Sequence, residues 1–188
     1  MPFAAALTRA ASMSHLGVPG HLATITSQAE QSFVSEYFLE LSRASSPIRF
    51  SRAELFWIAA SDAAVEGEWR WVAGPEGGQQ FWQGDHNGVA IGYQNWDSYY
   101  GRFYEPNNAH VLDGEDFVAL NLNLTGTSRV ISWWNDVSTR DDTTIFVPRM
   151  GLVEFSVIPE PSSVTLTATG GLMLVAGCRH RAKSGAGR

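Results

Sequence analysis

Disulfides, zinc-binding histidine pairs, basic patches and bilayer-length apolar runs are all missing from this sequence, and each absence removes a class of function. Cys178 is the one cysteine among 188 residues, so no intramolecular disulfide can form. The five histidines, His15, His21, His86, His110 and His180, lack zinc-ligand spacing. No His-Glu-x-x-His, Gly-x-Ser-x-Gly or phosphate-binding loop occurs either. His86 beside Asp85 is a weak candidate for proton transfer, because sequence neighbours rarely face each other productively. The chain therefore reads as a non-enzyme. Basic residues are not clustered: residues 1–158 hold 18 acids and 9 bases, giving −9, and residues 159–188 hold 1 acid and 4 bases, giving +3. An acidic body of this kind speaks against nucleic acid as a partner, since phosphate binding needs grouped Lys and Arg.

What the sequence has instead is apolar bulk and one oxygen-rich stretch. Hydrophobic residues make up 44% of the chain, with seven tryptophans and ten phenylalanines, enough for one densely packed domain plus appendages. From Glu105 to Asp136 runs a segment with no lysine and with Arg129 as its one arginine. It opens Glu105-Pro106-Asn107-Asn108, passes Gly114-Glu115-Asp116 and closes Trp134-Asn135-Asp136. The carboxylates of Glu105, Glu115 and Asp136 and the amides of Asn107 and Asn135 are hard oxygen donors. Ca²⁺ takes about six to eight such oxygens at roughly 2.3–2.6 Å, and a divalent cation would neutralise an acidic cluster that otherwise repels itself. An asparagine that ligates through its carbonyl keeps its NH₂ free to donate, and a carboxylate bound through one oxygen keeps the other free to accept. Neighbouring donors and acceptors around one ion suit recognition of two adjacent sugar hydroxyls.

The order Glu-Pro-Asn, Gly-Glu-Asp, Trp-Asn-Asp resembles the calcium-dependent sugar site of C-type lectin domains, in the version associated with mannose- and glucose-type ligands. The resemblance implies an α+β, C-type lectin-like fold: two helices flanking small antiparallel sheets with a long ordered loop. It implies Ca²⁺ ligands at Glu105, Asn107, Glu115, Asn135 and Asp136, the same five meeting the carbohydrate, with a cis peptide at Pro106. It also implies an auxiliary calcium site at Asp62, Glu66, Asn108 and Asp116, weaker because the family commonly has Asp where Asn108 stands. Where the resemblance would put the disulfides of secreted animal lectins the chain has Phe117, Thr139 and Val153, which implies a bacterial member of the family.

Along the chain, residues 3–15 are expected as an alanine-rich helix facing inward with Phe3, Leu7 and Ala10 or Ala11. The family's first strand and signal peptide would precede it, which points to a start further upstream. Residues 20–26 are expected as a strand, and Ser27 to Glu30 as a capping box. That box opens a helix to about Leu41 with Phe33, Tyr37 or Phe38, and Leu41 on one face. A polar loop at 42–53 precedes strands at 55–61 and 68–72. Gly74 to Tyr104 reads as a long, largely non-regular loop with a tight turn at Asp85-His86-Asn87-Gly88. Strands follow at 116–123 and 129–134, the latter delivering Asn135 and Asp136 at its end, and at 146–155.

A boundary is expected after residue 156, with 1–156 as the lectin-like domain and 157–188 as a separate tail. Pro159-Glu160-Pro161 is followed by an apolar run of 14 residues, Val164 to Gly177, then Cys178-Arg179-His180-Arg181. The run is short of the roughly 20 residues that cross a bilayer, and its basic flank would face the cytoplasm. The three-part order resembles the PEP-CTERM tail of exopolysaccharide-producing bacteria. It implies a short apolar sorting helix, an exosortase as partner, transient inner-membrane anchoring, and export to the envelope, surface or matrix. The expected function is calcium-dependent binding of glycans or exopolysaccharide. The rival is a structural or protein-binding domain stiffened by calcium; a hydrolase of matrix polysaccharide is weaker still.

Overall fold

The computed structural model describes residues 1–43, 53–99, 102–109, 114–125, 129–138, 148, 150–156 and 171–172. The chain begins with α1 (Phe3–Ala11), whose buried face is Phe3, Ala6 and Ala10, with Leu7 packed at the margin. The helix stops four residues short of the expected end. Ser12 closes it, its N–H donating to Thr8 and Arg9 carbonyls and its Oγ to Arg9 O at 2.7 Å. Leu16 and Gly17 then take φ of +50° and +82°, and form the two-residue turn between β1 (Ser14–His15) and β2 (Val18–Pro19). Two consecutive positive φ values match a tight antiparallel hairpin.

The strand expected at 20–26 is only two residues of regular pairing, β3 (His21–Leu22). The rest of that segment is fixed by single bonds: Ala23 donates to Leu152 O and Ala59 donates to Ala23 O, each at 2.8 Å. Helix α2 (Gln28–Arg43) starts at Ser27, whose Oγ accepts from Glu30 N–H at 3.2 Å. Glu30 does not complete the box on Ser27. It reaches one residue further back and accepts from Thr26 N–H at 2.6 Å. The buried stripe of α2 is Gln31, Val34 and Phe38, rotated from the expected one, while Phe33 is 44% exposed. Gln31 causes the difference. Its amide donates to Ser132 Oγ and accepts from Trp134 Nε1, both at 2.9 Å, so a polar residue is satisfied in the core.

The main sheet takes β4 (Ala53–Ser61), β5 (Glu68–Trp71), β6 (Gln80–Gln83) and β7 (Val89–Ala90) in succession. A separate hairpin joins β8 (Ser98–Tyr99) to β9 (Arg102–Phe103). The sheet continues with β10 (Phe117–Thr125) and β11 (Arg129–Val137), in the order β11-β10-β4-β5-β6-β7, and β12 (Met150–Gly151) runs parallel to β4. β13 (Val153–Phe155) pairs with β3 and with Gly171–Leu172, here β14. The stretch expected as one closing strand at 146–155 therefore serves two sheets, and residues 146, 147 and 149 lie outside the described residues. So do most of the 42–53 loop and, apart from Gly171 and Leu172, the tail with its expected helix. Among the described residues no helix is long and apolar enough to cross a membrane.

The interval 74–104, expected as a long ordered loop without regular structure, contains short paired strands. It supplies β6, β7 and the β8–β9 hairpin, because Phe81, Trp82 and Trp96 are drawn into the core. Trp134 is central there. Its ring meets Trp71, Phe81, Tyr93 and Trp96 edge-on, with centroids 5.7–5.9 Å apart. Such pairs contribute about 0.5–1.5 kcal/mol each beyond area burial. Aromatic anchoring thus converts a Gly- and Asn-rich stretch into a fixed wall.

Candidate functional site

β11 carries both the core and the site. Its residues alternate, so Trp134 and Asp136 point to one side and both are fully buried. Asn135 and Asp136 lie within the strand, opposite Ala119 and Val118, not beyond its end as expected. The Asp136 carboxylate accepts from Asn107 N–H at 3.0 Å and from Asn108 N–H at 2.7 Å. It thereby holds the turn that follows Glu105–Pro106, whose peptide bond is cis.

Beside it, burial and the facing Asp136 carboxylate, which shares a hydrogen bond with Glu105, push the Glu105 carboxyl well above its usual range; Glu115 and Asp97 add to the effect. Glu105 Oε2 is buried without a partner. Two facing carboxyls repel each other when both are charged, and a divalent cation beside them would offset that repulsion. Glu115 closes the turn from the other side: its Oε2 accepts from Ala109 N–H and its N–H donates to Asn108 Oδ1, both at 2.7 Å. Asn107 is exposed, with its side chain at the surface of this turn.

Asp62, Glu66, Asn108 and Asp116 are also brought together. Asp62 ends the β4 edge, its N–H donating to Asp116 O at 3.2 Å. Asp62 is 2% exposed; its Oδ2 accepts from Gly67 N–H at 2.9 Å, while Oδ1 is buried without a partner. Burial first, and Glu66, Asp116 and Asp136 next, raise its pKa to about 7, against the lowering effect of the Gly67 bond. Gly67 supplies that bond from φ +76°, a conformation that suits glycine. Asn108 bridges the two groups, its Nδ2 donating to Glu66 Oε1 at 2.9 Å. A cavity of about 430 Å³ opens between them, lined by Asp62, Glu66, Trp69, Asp85, Asn108 and Asp136 among others.

Of the nine residues expected from the sequence, Asn108 links Glu66, Glu115 and Asp136, Asn107 and Glu105 meet Asp136, and Asp62 and Asp116 join at the β4 edge, whereas Asn135 alternates to the side of β11 opposite Asp136. Among the described residues no three His, Cys, Asp or Glu side chains are already converged as a metal cage. The carboxylates stand in pairs joined by asparagines and backbone N–H groups. Two buried carboxylate oxygens without partners, on Glu105 and Asp62, are nonetheless what an oxygen-binding cation would satisfy. The residues fit such an ion.

Two contributors escaped the sequence pattern. Asp85 caps its own turn, Oδ1 accepting from Asn87 N–H at 2.8 Å, and also lines the cavity. Asp97 lies next to Trp96, which bridges in parallel to Trp134. Its N–H donates to Trp134 O at 2.9 Å, and burial raises its pKa despite the Ser98 N–H. The signal available was slight: Asp85 and Asp97 are the two acids between residues 77 and 104.

No protein-family model matches the chain. Halomucin of Haloquadratum walsbyi (strain DSM 16790 / HBSQ001) is 39% identical over 113 residues, 59% of this chain and 1% of that protein. The chain thus spans about a hundredth of that relative's length. Similar solved structures are C-type lectin domains. An EPNH mutant of CEL-I is 25% identical with a TM-score of 0.46, covering 74% of this chain and 75% of that one. C-type lectin CEL-I from Cucumaria echinata is 23% identical with a TM-score of 0.44, covering 74% and 76%. The human scavenger receptor C-type lectin carbohydrate-recognition domain is 22% identical with a TM-score of 0.36, covering 63% of each.

Proposed function

We propose that this chain is a C-type lectin-like, calcium-dependent glycan-binding module. The observation that carries this reading is the pair of buried, unpartnered carboxylate oxygens on Glu105 and Asp62, with further oxygens on Asn107, Asn108, Glu115, Asp116 and Asp136 nearby. The ion would be held by Glu105, Asn107, Glu115, Asn135 and Asp136, and a weaker second ion by Asp62, Glu66, Asn108 and Asp116. A bound Ca²⁺ supplies a positive centre that accepts two neighbouring sugar hydroxyls. Around it the chain's own groups orient the sugar: carboxylates accept from its hydroxyls and asparagine NH₂ groups donate to them. No part of the reading requires bond cleavage, so the function is binding and not catalysis.

The same reading extends to address and partner. Exopolysaccharide with mannose- or glucose-type units is the ligand class, and the envelope, surface or matrix of a bacterium is the location. The Pro159-Glu160-Pro161 tail would be read and cut by an exosortase after transient inner-membrane anchoring. A single monosaccharide in such a shallow site would bind weakly, so several copies would be needed for useful avidity. The test is competition by mannose and galactose for an immobilised mannose polymer, run with Ca²⁺ and with EDTA. Mannose should compete only in Ca²⁺. Replacing Glu105-Pro106-Asn107 by Gln-Pro-Asp reverses the donor and acceptor order and should shift preference toward galactose. Binding that persists in EDTA would defeat the reading.

A further inference from the structure

Asp85 stands on the turn between β6 and β7, and the backbone ties that turn to the Asp62 loop. β5 begins at Glu68 and β6 ends at Gln83, and these two residues are paired, so Gly67 and Gly84 meet just beyond the ladder. Gly67 N–H donates to Asp62 Oδ2 at 2.9 Å, and Gly67 O accepts from Gly84 N–H at 2.8 Å. The approach is backbone to backbone: a Cβ on Gly67 would lie 3.4 Å from Gly84 Cα, and the two glycines have φ of +76° and +100°. The turn is also closed from within. Trp82 Nε1 donates to the Gly84 and Asp85 carbonyls, both at 3.1 Å, and Gly88 N–H donates to Asp85 O at 2.7 Å. Asp85 therefore lines one cavity with Asp62 and Glu66 while coming from a different hairpin.

The oxygens around that cavity are unevenly engaged. Asp62 Oδ1 is buried without a partner. Asp85 Oδ1 caps the turn through Asn87 N–H, and its Oδ2 accepts no hydrogen bond among the described residues. Asn108 is already committed: its Oδ1 accepts from Glu115 N–H and its Nδ2 donates to Glu66, so it turns a donor toward the acids. Asp136 holds the N–H groups of Asn107 and Asn108. Asp116 meets Asp62 through its backbone carbonyl and is not among the described residues that line the cavity. We infer that Asp85 is a further cation ligand, a third carboxylate that with Asp62 and Glu66 holds the second Ca²⁺ and fastens the β6–β7 turn to the 62–67 loop. This rests on the calcium reading above and enlarges its weaker site. Ca²⁺ tolerates flexible geometry and completes its about six to eight positions with water, so the three carboxylates need not converge before it enters.

The experiment is calorimetric titration of Ca²⁺ into the full chain, wild type and Asp85→Asn, with amide hydrogen exchange of residues 84–88 before and after both sites are filled. Asparagine keeps an Oδ1 for the Asn87 N–H, so the turn should survive the change, and a melting curve in EDTA checks that it does. Wild type should bind two ions. Asp85→Asn should weaken the second roughly three- to tenfold, as less ligand charge does, and leave the first within about twofold. Filling the second site should slow exchange at Asn87 and Gly88 in wild type and leave it nearly unchanged in the variant. If the variant melts well below wild type, the exchange of the wild type decides. A second affinity that Asp85→Asn does not move, or wild-type exchange at the turn indifferent to Ca²⁺, overturns the inference and leaves the first ion standing. Wild-type titrations that fit one ion overturn it as well, and absence of calcium binding overturns both readings.

Discussion

Trp134 and Asp136 sit two residues apart on one side of β11, and their surroundings could hardly differ more. Trp134 is finished by the protein itself. Its ring is surrounded by four aromatic partners, and its indole N–H donates to Gln31 Oε1 at 2.9 Å. Asp136 is equally buried, but neighbouring carboxyls on Glu105 and Asp62 keep oxygens that nothing in the described protein satisfies. Burying a polar group without a partner is costly, so the core half adds stability while the acidic half subtracts from it, which is what the proposed ion would offset. One strand supports both, and the rigidity of the first positions the donors of the second.

Breaking the core side should have the largest effect. Trp134→Ala removes the central ring and leaves Gln31 Oε1 without its donor. It should lower unfolding stability by about 3–5 kcal/mol in urea titrations, and calcium affinity should fall with it, because β11 carries Asn135 and Asp136.

The acidic side should behave in the opposite sense when no ion is present. Asp62 has a folded-state pKa of about 7, above its ordinary 3.8. Below pH 4 both folded and unfolded states hold the proton and there is no penalty. Between about pH 4 and pH 7 the folded state binds more protons, so stability falls as pH rises. Glu105, raised by burial and by Asp136, extends the decline upward. In EDTA, Asp62→Asn should therefore stabilise the protein near pH 8 by roughly 2–4 kcal/mol and have little effect at pH 4. Melting temperatures at the two pH values measure this; destabilisation at pH 8 would mean that Asp62 has a hidden partner.

Asp136→Ala sharpens the comparison, because it frees the N–H groups of Asn107 and Asn108 and removes a proposed ligand. Calcium affinity should drop at least about tenfold by calorimetry, whereas the Trp134 aromatic cluster should keep its near-ultraviolet dichroism. The smallest expected effect is that of Asn108→Asp. It exchanges a bond to Glu66 Oε1 for a further carboxylate. The variant should lose stability in EDTA and bind a second ion roughly threefold more tightly, as more ligand charge does. Titrations that fit one ion in both proteins would remove the auxiliary site.

Much of this division was legible in the sequence, for identifiable reasons. The strands expected at 55–61, 116–123 and 129–134 declare themselves through apolar and aromatic runs and fall within a few residues of β4, β10 and β11, and the ordered Glu-Pro-Asn, Gly-Glu-Asp and Trp-Asn-Asp triplets point to the acidic residues around Asn108. Periodicity misplaces the α2 stripe because Gln31 counts as polar, and only the Trp134 indole and Ser132 make it a core residue. Asp97 was missed because its place depends on parallel pairing of residues 95–97 with β11, a long-range register that local pattern does not encode. Asp85 was read as a turn residue, which it is, while the cavity beside it exists only once β5 and β6 are folded.

The central claim is that a cation takes the place of protons on the acidic face. Calorimetric titration of Ca²⁺ into the full chain near pH 7, repeated in buffers of different ionisation enthalpy, measures affinity and proton release together. The expected result is an affinity in the roughly micromolar-to-millimolar range with net release of protons, from Glu105 as the first ion enters and from Asp62 as the weaker second one does. Calcium binding with no proton release, or no binding heat at all, would contradict it.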